Sequence, residues 1–282
     1  MAKQSFLSRL IPLRFRKSVP VVTHVALNGV IGMGTPLRPA ITFKGCREVL
    51  ERAFARKGIA AVALSLNSPG GSPVQSALIH TRIRELADEH KVPVYVFCED
   101  VAASGGYWLA CAGDEIYADQ SSIIGSIGVI SAGFGFVEAI GKLGIERRVY
   151  SSGESKSMLD PFKPEKAEDV SHLQSLQADV HDGFKSLVRA RRGAKLKAAE
   201  SELFTGAFWS GRQALDKGLI DGIGHLHAVL KHKFGDKVVV QNVTAPQGWG
   251  LKRLGFGAAA PDFAAAALDA IETRAMWSRF GL

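Results

Sequence analysis

From Val19 to Glu99 the chain alternates two hydrophobic rhythms. Val19–Ile31 is rich in β-branched residues and ends in glycines, which predicts a strand. Phe43–Lys57 brings Cys46, Val49, Leu50, Ala53 and Phe54 to one face at helical spacing. Ile59–Leu66 is a short, continuously apolar run, the pattern of a strand buried on both faces. Val74–His90 repeats the helical rhythm through Ile79, Ile83, Leu86 and Ala87, and Val92–Glu99 reads as the next strand. Strands alternating with helices predict an α/β fold with a mainly parallel sheet. Further on, Lys163–Arg191 carries a long stripe of Leu173, Leu176, Val180, Phe184 and Leu187, a helix with a solvated outer face. Arg147–Tyr150 reads as a short strand. Gln120–Val137 is free of charge, but its serines and glycines favour buried strand and turn over a membrane span.

Composition adds three constraints. The 30 glycines in 282 residues exceed the usual share of about 7% and point to tight turns and close backbone approaches. Three cysteines (Cys46, Cys98, Cys111) give neither a disulfide framework nor a CxxC metal pair, so no metal or other cofactor is expected. The net charge of +8 is uneven: Lys3, Arg9, Arg14, Arg16 and Lys17 fall in an acid-free stretch over residues 1–18. With Phe6, Leu7, Leu10, Ile11, Leu13 and Phe15 between them, these residues suit a peripheral contact with an anionic membrane, a targeting segment or a solvated tail. They form no recognised nucleic-acid module, so no nucleic-acid partner is expected. No apolar run has the form of a secretory signal. The organisation expected is a basic tail over 1–18, a main domain over 19–235 and an extension over 236–282. Within the extension, Thr244–Pro261 reads as a linker and Ala-rich Asp262–Phe280 as a terminal helix.

Two glycine turns follow predicted strands. Asn67-Ser68-Pro69-Gly70-Gly71 follows the Ile59–Leu66 strand, and Ala103-Ser104-Gly105-Gly106-Tyr107-Trp108 follows the Val92–Glu99 strand. In open α/β sheets ligands bind outside the carboxyl ends of strands. A Gly-Gly turn bares backbone N–H groups there, and a serine beside such donors has the makings of an acyl-transfer site. Each turn alone equally suits an ordinary bend or a helix N-cap. A serine nucleophile needs a base, and no histidine lies between His90 and His172. His24, His80 and His90 read as packing or surface residues of their strand and helix. Lysine is the alternative base when its environment keeps it neutral, and Lys156 lies in the Ser/Gly loop Ser151–Ser157.

In this order the segments LSLNSPGG (64–71), ASGGYWLA (103–110), IGSIGVI (124–130), SGESKSMLDPF (152–162) and FTGAFWSGRQALDKGLIDGIG (204–224) resemble the signal peptide peptidase A family of serine–lysine peptidases. The resemblance spans most of Val21–Gly224 and implies a ClpP/crotonase-like layered fold of repeated ββα units. It further implies Ser104 as nucleophile and Lys156 as general base. Gly71, with Gly70 beside it, and Gly105 would form the oxyanion hole, and Ser126 would orient the lysine. The ClpP alternative, with a histidine about 25 residues after the serine, fails because that position is Val129. The family implies hydrophobic peptide substrates, such as remnant signal peptides or other membrane-derived peptides. It also implies a homo-oligomer, a ring such as an octamer, in which Ser and Lys meet across neighbouring protomers. Many members carry a membrane anchor, of which this chain shows no sign, so a cytoplasmic or peripheral inner-membrane location is expected. Two other readings stay open: a crotonase-like acyl-CoA enzyme, and a non-catalytic scaffold that binds hydrophobic peptides. The alanines at 258–260 and 264–267 could pack as a helix or enter an active site as a pseudo-substrate.

Overall fold

The computed structural model describes residues 19–32, 40–244 and 274–281. The first strand, β1 (Val21–Asn28), is followed by α1 (Phe43–Ala55), β2 (Ala61–Ser68), α2 (Pro73–His90), β3 (Val94–Ala103) and the short α3 (Gly105–Ala110). Then come β4 (Glu115–Ala118), β5 (Ile123–Gly125), α4 (Val137–Lys142), the long α5 (Ala167–Arg192), α6 (Glu200–Leu203) and β6 (Phe208–Ser210). The series closes with α7 (Gly211–Asp216), β7 (Gly222–Ile223), α8 (Leu226–Phe234) and β8 (Val239–Asn242). Local chemistry sets the helix starts. Thr42 accepts from the Gly45 N–H, Ser72 accepts from the Gln75 N–H with Pro73 following it, and Ser210 and Gln213 form a reciprocal capping box.

The sheet runs β6-β5-β3-β2-β1-β8, with β4 and β7 branching from β3. Every pairing is parallel except β5 with β6. The fork arises because β3 is long: Tyr95–Cys98 pairs with β4 and Val101–Ala103 with β5. At that point the β2–β3 register slips between Leu66 and Ser68. The Asn67 side chain bridges the slip, accepting from the Val101 N–H at 3.2 Å and donating to Asp100 Oδ2 at 2.8 Å. An open, mainly parallel α/β sheet of this kind is consistent with the ClpP/crotonase-like class. The sheet also reaches past residue 235, since β8 pairs with β1.

The main core lies on one face of the sheet, where Val25, Leu64 and Val96 meet α1, α2, α3 and α5. A smaller cluster of Val22, Ala61, Ala63, Phe97 and Leu230 packs the other face against α8. Arg147–Tyr150 forms no strand, contrary to the reading above. It lies in an arm over residues 129–166, pairs with no strand among the described residues, and Tyr150 is 92% exposed. The arm is held largely to itself: Phe136 stacks on Phe162 and Arg147 lies over the same ring while pairing with Asp160. The basic tail over 1–18, the linker beyond residue 244 and the alanines at 258–260 and 264–267 lie outside the described residues. The described part of the expected terminal helix is helical over residues 274–278.

Candidate functional site

Ser104 is the single residue between β3 and α3, with φ +53° and ψ −122°. A positive φ on a residue with a side chain costs on the order of 1–3 kcal/mol and persists only where the surroundings impose it. Here the Ser104 N–H donates to the Gly125 carbonyl at 2.8 Å, and its own carbonyl accepts from the Trp108 N–H at 3.0 Å. Further along α3, the buried Tyr107 hydroxyl donates to the Leu219 carbonyl, and Trp108 stacks on Phe184 of α5 at 4.8 Å. The interior behind the serine is dry enough that burial pushes the Cys111 thiol up to about 12.

The Asn67–Gly71 turn lies against this serine. A Cβ on Gly70 would come within 2.8 Å of Ser104 Cβ, and one on Gly71 within 2.0 Å of the Ile31 carbonyl oxygen. Gly71 also has φ +138°, so glycine is required twice over. The Gly70 N–H donates to Ser68 Oγ at 3.2 Å. The neighbouring bonds Ile31 N–H to Gly70 and Ser72 N–H to Ile31 straddle Gly71, whose own N–H meets no acceptor among the described residues. A Cβ on Gly105 would stand 3.4 Å from Gly71 N, so the Gly71 and Gly105 backbones are adjacent. Gly71 and Gly105 therefore lie side by side next to Ser104, and Gly70 packs directly on the serine.

Ser104 opens into a cleft of about 370 Å³ lined also by Ser126, Val129, His181, Thr205 and Arg279. Ser126 reaches it because β5 ends at Gly125, the residue bonded to Ser104. Ser126 is buried, has φ +53°, and its N–H donates to the Ala207 carbonyl at 2.7 Å. The structure thus brings Ser104, Gly70, Gly71, Gly105 and Ser126 together. Lys156 is not part of the cleft lining; it lies on an exposed 3-10 turn of the arm. Two cleft residues escaped the sequence reading. His181 comes from α5, and its Nε2 is 3.1 Å from the Ile127 carbonyl oxygen. Arg279 comes from the C-terminal segment, where Phe280 packs edge-on against Phe208. Helical spacing alone puts His181 on the flank of the α5 stripe, without indicating what lies opposite.

Two serines on one cleft, one of them strained and packed against a glycine turn, have parts that acyl transfer can use, and comparison with known proteins narrows what the chain is. The model of peptidase family S49 matches residues 87–239, more than half of the chain. The chain belongs to peptidase family S49. A putative protease of Synechocystis sp. is 32% identical over 203 residues, covering 72% of this chain and 69% of its own. The putative signal peptide peptidase SppA of Enterococcus faecium is 32% identical over 213 residues, covering 73% and 61%. A Brucella abortus protein named Na(+)/H(+) antiporter NhaA is 48% identical over 292 residues. That match takes in all of this chain but only 40% of the Brucella protein. No helix among the described residues is long and apolar enough to cross a membrane.

The S49 chain has a second cavity, of about 530 Å³, on the sheet face that α8 only partly covers. Its floor holds a relay in which the His24 ring bridges Ser65 Oγ and Asn242 Oδ1, both at 2.8 Å. The order resembles a hydrolase triad, but Ser65 is in the middle of β2, paired on both sides, with no turn of free N–H groups beside it. The relay ties β8 to β1 and β2, which is the packing role expected of His24. His80 likewise packs, buried between α2 and α3. No cluster of His, Cys, Asp or Glu among the described residues is arranged to hold a metal ion.

Proposed function

We propose that this S49 chain is a serine endopeptidase that cleaves extended, hydrophobic peptides through an acyl-enzyme on Ser104, with Lys156 as general base. The observation that carries the reading is the strained Ser104 beside the Gly71 and Gly105 N–H groups, with Ser126 in the same cleft. In this reading the Lys156 amine accepts the Ser104 hydroxyl proton as Oγ attacks the scissile carbonyl. The two N–H groups stabilise the oxyanion, and the lysine passes the proton to the leaving amine. Water, deprotonated by the same amine, then releases the acyl group. Ser126 orients the amine.

Lys156 reaches the cleft of a neighbouring copy in this reading, as part of a homo-oligomeric ring. Its exposed turn belongs to an arm that also presents Ile130 (67% exposed), Phe134 (79%) and Leu143 (73%) to solvent, an apolar surface suited to a second protomer. The substrate class rests on the names of the relatives, with Val129 and Ile130 the apolar points of an otherwise mostly polar cleft wall. The test is intact-mass detection of a fluorophosphonate adduct on Ser104. Adduct formation should vanish in Ser104→Ala and in Lys156→Ala, and peptidase activity should return when these two inactive variants are mixed and reassembled. An active Lys156→Ala enzyme rejects the dyad. Loss of both activities with no recovery on mixing rejects the exchange between protomers.

A further inference from the structure

His181 is a cleft residue with a defined bond and no assigned part. It lies one turn before Phe184 on α5, so the Trp108–Phe184 stack that anchors α3 also fixes where the imidazole enters. Its Nε2 is 3.1 Å from the Ile127 carbonyl oxygen. A carbonyl can only accept, so Nε2 carries the proton and, in the neutral ring, Nδ1 is an acceptor. No hydrogen bond joins either ring nitrogen to Ser104 among the described residues, so the bond to Ile127 is what defines the ring's role.

Ile127 is the residue after Ser126. Ser126 has φ +53°, a conformation its side chain disfavours, and the turn around it must therefore be imposed from outside. Three bonds impose it. The Ser126 N–H donates to Ala207, the Gly128 N–H donates back to Ser126, and the His181 ring N–H holds the carbonyl between them. The first two are backbone bonds that most sequences could make. The third is the side-chain contribution to this turn, and it comes from the helix that also carries the support of Ser104.

We propose that His181 is a positioning residue of the S49 site, fixing the Ser126 turn so that the Ser126 hydroxyl meets the incoming lysine amine. The proposal rests on the Ser104–Lys156 reading and adds to it a residue that acts only through Ser126. Arg279 lines the same cleft, and the carboxyl of Asp182, next to His181 in sequence, is held low chiefly by its hydrogen bond to Lys185.

The test compares His181→Leu, which removes the donor, with His181→Gln, whose amide can place an N–H near the same point. His181→Leu should lower kcat about 10- to 100-fold with KM within about twofold, and His181→Gln should recover most of the loss. Fluorophosphonate labelling of Ser104, in which Oγ displaces fluoride from phosphorus and the adduct is read by mass even at slow rates, supplies a double-mutant cycle with Ser126→Ala. In the Ser126→Ala background, His181→Leu should cost no more than about a further twofold. Should His181→Leu fail to fold, His181→Ala, which also removes the donor, takes its place against His181→Gln and in the cycle with Ser126→Ala. Equal loss in the Leu and Gln variants, a full additive penalty in the cycle, or wild-type kcat in His181→Leu would each overturn the proposal. A Lys156→Ala enzyme that keeps activity while His181→Leu loses it would make His181 the base itself. That result rejects the dyad as well, and is told apart by the Lys156 arm alone.

Discussion

The Ser104 surroundings and the 129–166 arm are built by opposite means. Around Ser104 the backbone is pinned: glycines allow contacts closer than a Cβ would permit, and carbonyls receive the N–H groups of Ile31, Ser72, Ser104 and Ser126 while that of Gly71 meets no acceptor among the described residues. In the arm, large apolar side chains face solvent, and several glycines have nothing within 4 Å of where a Cβ would stand. One region is complete within a single chain, and the other presents a surface without covering it. On the proposed reading, the serine and its two N–H groups are preorganised before any partner arrives, which is what electrostatic stabilisation of an oxyanion requires. The proposed base depends on how the arm is covered.

The sharpest way to break this contrast is to place the same substitution in both regions. Gly71→Ala puts a methyl 2.0 Å from the Ile31 carbonyl oxygen at φ +138°, so the turn must move. Turnover should fall at least about 100-fold, the scale of losing one oxyanion donor. Gly133→Ala, which meets nothing within 4 Å, should leave both turnover and melting unchanged. Comparable losses in the two variants would deny that the regions differ.

The next effect reads the dryness behind the site. Burial pushes the His80 imidazole down to about 4, with Arg191 and Arg84 adding to the shift, and its Nε2 has no partner among the described residues. The folded pKa lies below the unfolded value of about 6.5, so the folded state disfavours the proton. Stability is full above about pH 6.5 and falls as the pH drops toward 4, by about 3 kcal/mol in all. His80→Leu should flatten that part of the acid limb in denaturant melts taken between pH 7 and 4. The Cys111 carbonyl keeps its bond from Arg191 in that variant, so no acceptor is orphaned. An unchanged slope would mean that the pocket admits water.

Much of the ordered region was legible because its signals are local. The run at 59–66 and the rhythm of 74–90 become β2 and α2 within two residues, since burial on both faces and capping by Ser72 leave little choice. The Asn67–Gly71 and Ala103–Trp108 turns were visible as glycine turns after strands, and the structure packs them directly against each other, Gly70 on Ser104 and Gly71 beside Gly105. What the sequence hid depends on distant partners. His181 gains its place from α5 crossing α3, a contact that no spacing within α5 records. Asn67 looked like a turn residue, but its side chain spans a register slip that exists only once β3 pairs with two different strands. Arg147–Tyr150 has strand-like residues but no strand beside it, and extended pairing needs both.

The smallest expected effect tests the arm. Leu143 is 73% exposed and makes little contact within its own chain, so Leu143→Ser should change the unfolding free energy by no more than about 0.5 kcal/mol. If a second copy buries that side chain, the same substitution forfeits about 2 kcal/mol at each contact. Association would then weaken roughly 30-fold, since each 1.4 kcal/mol is a factor of ten. Sedimentation across a dilution series should show the variant dissociating at concentrations where the unaltered chain stays assembled. Specific activity should fall along the same curve, because a diluted protomer keeps its serine and donors and loses its neighbour's lysine. An assembly and activity indifferent to Leu143→Ser would make the arm an ordinary exposed loop and remove the difference between the two regions that the exchange of Lys156 requires.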